Sequence, residues 1–515
     1  MNRRPKFSGR CWSRAYRVSG LKLTELIGQG AGNRSGRDPE IAGLSANSRN
    51  VRPGFLFAAL PGTRLDGRNF AADAVDRGAV AILTTTAAGL RLPERAAHVP
   101  ILTDANPHKR LALLAARFYG RQPLTIVAVT GTNGKTSVVH FTREIWTVLG
   151  KPAASLGTLG LSTPGGRRPG ALTTPDPVAL HGELAALADE GIEHVALEAS
   201  SHGLDQFRLD GVAVAAAAFT NLTRDHLDYH GDIARYRAAK DRLFTALLTP
   251  GATAVLNADC GEFSRLAALC QENGHPVLAY GTRQGADLRL LACRPDARSQ
   301  LLQLEILGRR CEQSLPLVGE FQAMNALAAL GLVIASGGPV DGASAALGQL
   351  TGVPGRLQFV AERNGGAIIV DYAHTPDALA TVLRALRPHT RGRLVALFGA
   401  GGDRDPGKRP LMGAVGARLA DQVYITDDNP RSESPAEIRR AVLAAAPGAV
   451  EIGDRRLAIE AAIAELTLGD VLVIAGKGHE TGQIIGSETY HFDDAEIVRE
   501  IAGSGAQSSA AGKAE

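Results

Sequence analysis

One stretch restricts the fold of this chain more than any other. An apolar, β-branched run, Leu124–Val129 (LTIVAV), leads into the glycine-rich segment Gly131–Ser137 (GTNGKTS), and a helical stretch follows from Lys135 to about Leu149. A short apolar run that stops at glycine reads as a buried strand. A strand, a glycine turn and a Lys-Thr pair opening a helix form a phosphate-binding unit. Its glycines let backbone N–H groups approach phosphate oxygens, and the helix N-terminus adds a favourable dipole. Gly131, Thr132, Asn133, Gly134, Lys135, Thr136 and Ser137 are therefore expected to hold the triphosphate of ATP, with Lys135 on the outer phosphates and the Thr136 hydroxyl on Mg²⁺. The common form, G-x-x-x-x-G-K-[ST], is longer; here only Thr132 and Asn133 separate the two glycines. An ordinary strand-to-helix turn is the competing reading. A phosphate loop alone also leaves open a switch, a motor, a kinase or a ligase.

The 515 residues suggest about three domains. Short apolar runs at Gly54–Ala59, Ala79–Thr84, His194–Leu197, Val212–Phe219, Ala367–Val370, Leu394–Phe398, Val423–Thr426 and Val471–Ala475 recur along the chain. In the two later blocks they alternate with helical stretches, which predicts α/β domains on parallel sheets. The 56 basic residues are nearly matched by 52 acidic ones, leaving a net charge of +4. That balance argues against nucleic acid as partner. The basic segment Asn2–Arg17 lacks the apolar core of a secretory signal and reads as a disordered extension. No apolar run reaches the ~18 residues of a membrane span. The cysteines, Cys11, Cys260, Cys270, Cys293 and Cys311, show no metal spacing, which fits reduced thiols in a cytoplasmic protein.

Two places in the central block offer metal chemistry. Glu198 follows the strand His194–Leu197, and a carboxylate at the end of a parallel strand faces the ligand edge of the sheet, where it could hold Mg²⁺. The stretch Thr220–Phe244 carries Asp225, His226, Asp228, His230, Asp232 and Lys240. By itself it reads as a solvated polar loop whose acids cap the next helix, with Lys240 as surface charge.

Taken together these motifs resemble the Mur ligases of cell-wall synthesis, from about Leu44 to Gln483. The resemblance implies three α/β domains: a small UDP-sugar-binding domain at 21–106, a central P-loop parallel-sheet ATPase domain at 107–353 and a Rossmann-like amino-acid-binding domain at 354–503. A basic extension (1–20) and a disordered tail (504–515) flank them. NSRNVRPGFLFAALPGTRLDG resembles the family's uridine segment, which carries Ser48, Thr63, Arg64 and Leu65 onto the UDP-sugar; Asn47 stands where the family usually has Asp. LTTPD and EASSHGLDQFR supply Thr173, Thr174, Ser200, Gln206 and Arg208 for the muramoyl peptide. Arg208 suits an anionic substrate through its planar fork. Lys240 matches the lysine that the family converts with CO₂ to a carbamate (N6-carboxylysine), and His226 the other protein ligand of a second Mg²⁺. The resemblance thus reverses the solvated reading of both.

Asn325 in LVGEFQAMNALAA matches an asparagine near the adenine, whereas Gln322 replaces a more usual Asn and receives no role. PGR and DYAHTPDAL place Arg356, Asp371 and His374 on the phosphates and ribose. The amino-acid pocket is expected from Arg404, from Asp428, Asn429, Pro430 and Arg431 (DDNPR), and from Gly476 and Glu480 (AGKGHE). Within the family this pattern is closest to members that add meso-diaminopimelate, whose second amino-acid head would meet Arg431, Asn429 and Glu480. Lysine lacks the far carboxylate and would leave Arg431 unpaired. The implied reaction forms an acyl phosphate from ATP and a UDP-muramoyl dipeptide, with Lys135, Lys240 and His226 as catalytic groups. The expected partners are small molecules, the expected state a monomer. A lysine-adding or folylpolyglutamate-type ligase is the alternative within the class, and a P-loop regulatory ATPase the alternative outside it.

Overall fold

The computed structural model describes residues 20–28, 37–62, 65–296 and 298–511, with side chains up to 503. The chain divides into two compact units. One comprises the described residues up to Gln122 together with Pro175–Glu190 and Gln206–Val212; the other comprises Pro123–Thr174, Gly191–Asp205 and the chain from Ala213 onward.

The first unit is built on four parallel strands in chain order, Gly43–Ser45, Phe55–Ala58, Ala79–Thr84 and Ile101–Thr103. The helix Pro107–Tyr119 covers them. Asn106 caps it by accepting from Lys109 N–H, Pro107 sits in its first turn, and Gly120 ends it at φ 66°. Its Leu111, Leu114, Ala115 and Phe118 join Leu44, Leu56 and Leu83 in one core. This packing moves the boundary of the first block from the expected Asn106 to Gln122. The helix Pro177–Asp189, though it lies between two strands of the central sheet in sequence, also belongs to this unit through Val178.

The second unit carries two sheets. In the eleven-stranded sheet, the phosphate-loop strand Thr125–Thr130 lies between His194–Glu198 and Val214–Phe219, parallel to both. All three therefore end at one edge, the edge at which α/β sheets bind ligands. Each strand is β-branched or alanine-rich and buried on both faces, as a parallel sheet requires. The strand begins at Thr125, one residue later than expected, and Leu124 stays exposed. Two antiparallel strands, Gln300–Ile306 and Arg309–Leu315, extend the far side. The helices Lys135–Val148 and Glu320–Ala335 share the core cluster that includes Val127, Val129, Ile145, Ala326 and Leu330.

The six-stranded sheet holds Gly366–Asp371, Leu394–Phe398, Gln422–Ile425 and Val471–Ala475 as parallel strands. Val471–Ala475, last of these in sequence, is inserted between Gly366–Asp371 and Leu394–Phe398. Strand order reverses there, which opens a crevice at the carboxyl ends. The closing helix Asp494–Ala511 carries its backbone into the 504–515 segment expected as a disordered tail, a correction up to residue 511. No helix among the described residues is long and apolar enough to cross a membrane. The described cysteines are free.

Candidate active site

The phosphate loop is tied down from both sides. Gly131 (φ 146°) and Gly134 (φ 85°) adopt conformations that side chains rarely take, and a Cβ on Gly131 would lie 1.9 Å from Thr220 Oγ1. Thr132 N–H donates to Asn221 O at 2.9 Å, Asn133 N–H to Asn221 Oδ1 at 2.9 Å, and Thr220 Oγ1 to Asn133 O at 2.6 Å. Lys135 opens the helix and curls over the loop, its Nζ donating to Gly131 O (2.9 Å) and Thr132 O (2.7 Å). Thr136 and Ser137 follow on the first turn. The loop backbone and the lysine are thus held in place by bonds within the protein. That preorganisation suits a polyphosphate.

Glu198 ends its strand and is 2% exposed. Oε1 accepts from Thr158 N–H at 2.8 Å and Oε2 from Thr158 Oγ1 at 3.1 Å. Gly157 leaves the space, since a Cβ there would lie 2.1 Å from Glu198 Oε1. Each oxygen keeps further lone-pair capacity for a cation. Thr173 Oγ1 lies 3.1 Å from Thr158 Oγ1. Thr174 donates to Glu198 O at 2.7 Å and lies 3.0 Å from Ser200 Oγ, so its hydroxyl fastens the turn after Glu198. Thr158, Thr220 and Asn221 were not singled out from sequence: isolated Thr and Asn beyond strand ends look like ordinary turn residues.

Lys240 overturns its solvated reading. It lies on the helix Ile233–Arg242, capped by Asp232, and is 1% exposed. Its Nζ donates to Gly131 O at 2.8 Å and sits 4.3 Å from the Tyr236 ring centre. Burial, with the Lys135 charge adding to it and Asp225 opposing, brings its pKa down to about 6. Two lysine amines thus share the carbonyl of Gly131. Two ammonium groups repel there, and a neutral Lys240 amine relieves the repulsion. A neutral amine is also the form that captures CO₂, and the resulting carbamate is an anion able to ligate Mg²⁺. His226 precedes the short helix Leu227–His230 at φ 53°, with Nε2 3.5 Å from Asp225 Oδ2. Its ring packs edge-on against His202. Among the described residues no group of three His, Cys, Asp or Glu could hold a metal. Thr136 and Glu198 offer oxygen donors of the type Mg²⁺ takes, and His226 an imidazole.

Asn325 lies beside this loop, its Oδ1 2.5 Å from where a Cβ on Gly134 would stand. Its Nδ2 donates to Gln322 Oε1 at 2.9 Å, and Gln322 Nε2 donates to Arg356 O at 3.3 Å. Gln322, left without a role by sequence, thus links the adenine candidate to the arginine of PGR. Arg356 stacks over the Tyr372 ring at 4.4 Å. Asp371 is buried and accepts from Leu357 and Ala373 N–H, both at 2.7 Å. Burial raises its pKa, opposed by these amides and by Arg356. His374 Nδ1 is 2.9 Å from Tyr372 O, and Lys408 Nζ donates to His374 O.

The three amino-acid motifs, Gly401–Asp405 (GGDRD), DDNPR and AGKGHE, meet at the reversal point of the six-stranded sheet. Gly402 N–H donates to Asn429 O at 2.9 Å, and a Cβ on Gly402 would lie 1.9 Å from Pro430 O, so the GGDRD loop bearing exposed Arg404 rests on the NPR turn. Arg431 holds a left-handed φ of 51°, and among the described residues its side-chain hydrogen bonds engage Nη1 alone, to Gly402 O (2.7 Å) and Asn429 O (3.5 Å). The Nε–Nη2 edge is left for a carboxylate. Asn429 Nδ2 donates to Glu480 Oε2 at 3.1 Å. Asp428 is buried with Oδ1 lacking a hydrogen-bond partner, and a Cβ on Gly476 (φ 118°) would lie 3.0 Å from its Oδ2. A guanidinium edge and two carboxylates in one crevice offer complementary charge to a zwitterionic head.

Of the uridine candidates, Thr63 and Arg64 lie outside the described residues. Ser48 is buried; Leu65 is 66% exposed. Asn47 Oδ1 accepts from Arg49 N–H at 3.0 Å, a bond that an amide makes as well as the usual carboxylate. Gln206 and Arg208 belong to the first unit and pair with each other, Arg208 Nη2 donating to Gln206 Oε1 at 2.6 Å.

Comparison with known proteins agrees along the chain. Residues 40–119 match the Mur ligase family catalytic domain, 129–333 the Mur ligase middle domain and 355–478 the Mur ligase glutamate ligase domain. A protein of Caulobacter vibrioides named UDP-N-acetylmuramoyl-L-alanyl-D-glutamate--2,6-diaminopimelate ligase is 55% identical over 474 residues, 90% of this chain and 96% of its own. One of the same name from Bradyrhizobium diazoefficiens is 53% identical over 486 residues, 93% of this chain and 98% of its own. A solved structure of a ligase of that name superposes with a TM-score of 0.74 at 33% identity, covering 95% of this chain and 99% of that one. Three family models cover most of the chain and relatives more than half identical span at least 90% of it: the chain belongs to the Mur ligase family.

Proposed function

We propose that this chain is an ATP-dependent ligase that joins meso-diaminopimelate to the D-glutamate γ-carboxylate of UDP-N-acetylmuramoyl-L-alanyl-D-glutamate, in the synthesis of peptidoglycan precursors. The observation that carries the reading is the chain of contacts in which Arg431 Nη1 donates to Gly402 O and Asn429 O while the Asn429 amide donates to Glu480, with the Nε–Nη2 edge of Arg431 unengaged. It matches the distal carboxylate and ammonium of diaminopimelate. The relatives' names support the same amino acid and the same acceptor.

In the first step the γ-carboxylate attacks the ATP γ-phosphorus and the bond to ADP breaks, leaving an acyl phosphate. The loop amides and Lys135 hold the phosphates in line and offset the charge on the transferring group. In the second step the neutral amine of diaminopimelate attacks the acyl carbonyl. The carbon–oxygen bond to phosphate breaks, phosphate departs and the amine's proton passes to a base. Thr136 and Glu198 would hold one Mg²⁺, and His226 with a carbamylated Lys240 a second; such ions would neutralise charge at the phosphates. Asn325, Arg356, Asp371 and His374 are assigned to the nucleotide. Ser48, Thr63, Arg64, Leu65, Thr173, Thr174, Ser200, Gln206 and Arg208 are assigned to the UDP-sugar peptide. The enzyme is placed in the cytoplasm as a monomer; free thiols support the first, and sedimentation tests the second. The function is tested by product mass. Incubation with ATP, Mg²⁺, the UDP-dipeptide and diaminopimelate should yield the UDP-tripeptide and ADP in equal amounts, and ADP without tripeptide would overturn the reading.

A further inference from the structure

Lys477 is a buried cation that the mechanism above does not use. It follows the strand Val471–Ala475 and is 0% exposed. An ammonium removed from water needs close acceptors. Its Nζ donates to Gly482 O at 2.5 Å and to Asn429 Oδ1 at 3.2 Å, and lies 3.6 Å from Glu480 Oε2 and 3.9 Å from Asp428 Oδ1. It touches the DNPR turn, the KGHE loop and the first strand of the hairpin that follows, Gly482–Ile485.

Two consequences follow from this placement. An ammonium donates and never accepts, so the oxygen of the Asn429 amide must face Lys477. Ile484 N–H enforces the same choice by donating to Asn429 Oδ1 at 2.9 Å. The amide nitrogen then faces Glu480, at 3.1 Å. Lys477 also sets the charge of the crevice. One cation stands against two carboxylates, Asp428 and Glu480, and Asp428 Oδ1 is buried without a hydrogen bond. Without Lys477 the Asn429 oxygen loses one of its two donors and Asp428 and Glu480 lose the cation between them.

We propose that Lys477 is a positioning residue that sets amino-acid specificity: it locks the Asn429 amide and the Asp428–Glu480 pair in the arrangement that receives the distal ammonium of the amino-acid substrate. The inference rests on the reading of this crevice as the amino-acid pocket.

The test is steady-state phosphate release by Lys477→Met, which keeps the apolar stem, and by Lys477→Gln, which keeps a donor for Gly482 O and Asn429 Oδ1 and keeps the variant testable if the methionine protein does not fold. Both should raise the diaminopimelate KM about tenfold or more, with kcat and the ATP KM within about twofold. A merely structural role would move all substrates together. An unchanged diaminopimelate KM, or an equal rise for ATP, overturns the inference. Arg431→Ala measured alongside separates the two claims. A raised KM there beside unchanged Lys477 variants overturns this inference alone; no change in either overturns the pocket reading.

Discussion

Replacing Arg431 by alanine removes the guanidinium, with its Nη1 bonds to Gly402 O and Asn429 O, and leaves the backbone in place. The backbone of Arg431 is held independently of its side chain, by N–H to Ile484 O at 3.1 Å and by Gly486 N–H to its own carbonyl at 2.8 Å. Its φ of 51° costs alanine about what it costs arginine, because both carry a Cβ. The neighbouring loop keeps its bond from Gly402 N–H to Asn429 O. What is lost is the guanidinium, whose Nε–Nη2 edge is open to a carboxylate. A charge-assisted hydrogen bond of this kind contributes about 1.5–3 kcal/mol, which corresponds to about 10–150-fold in affinity. Phosphate release with diaminopimelate varied, at saturating ATP and UDP-dipeptide, should show a KM rise in that range. The KM for ATP should stay within about twofold, since Arg431 is assigned no nucleotide contact. Any residual use of lysine should be unchanged, because lysine has no far carboxylate. A diaminopimelate KM that stays put, or one that rises in step with that for ATP, would refute the pocket assignment.

Lys135→Ala should lower turnover about a thousandfold or more, as the loop loses its phosphate cation; near-normal phosphate release would contradict the assignment. Lys240→Ala should be inactive and partly restored by short carboxylates, and absence of any rescue would count against a carbamate. The pH dependence has a definite sign. With the Lys240 amine near pKa 6, the neutral form that takes up CO₂ dominates above pH 6 and disappears below it. Reactivation of CO₂-depleted enzyme by bicarbonate should therefore be full at pH 8 and fail near pH 5, and a pH-independent response would be inconsistent with it. Asp494→Ala breaks a fully buried pair, Asp494 with Arg455 at 2.8 Å, whose guanidinium also reaches Ala475 O at the end of a pocket strand. Denaturant unfolding should show a loss of about 3–5 kcal/mol, and a loss under about 1 kcal/mol would mean the pair matters little.

The parallel strands could be read from sequence because they are buried on both faces and stop at glycine or polar turns. Ala79–Thr84, Leu394–Phe398 and Val471–Ala475 lie where their apolar runs end. The helix Pro107–Tyr119 was assigned to the wrong unit because a helix carries no mark of the sheet it covers; Leu111 and Phe118 find that sheet only in three dimensions. Nor does sequence distance show that 175–190 and 206–212 leave the central unit. The site divides in the same way. Glycine turns and DNPR are legible because each needs particular residues at particular spacings. Lys240 and Lys477 look like surface lysines until the chain wraps them in carbonyls and carboxylates. Gln322 received no role from sequence, yet its bonds link Asn325 to Arg356.

The central claim is that this phosphate loop serves a ligase whose amino acid is chosen at Arg431. Its most direct test compares kcat/KM for diaminopimelate and for lysine in phosphate release with the UDP-muramoyl dipeptide present. A buried polar group left unpaired by the wrong substrate costs about 1–3 kcal/mol, and more where it is charged. The ratio should therefore favour diaminopimelate by at least about a hundredfold. Equal use of lysine would contradict the pocket, and ATP consumption indifferent to both would contradict the ligase.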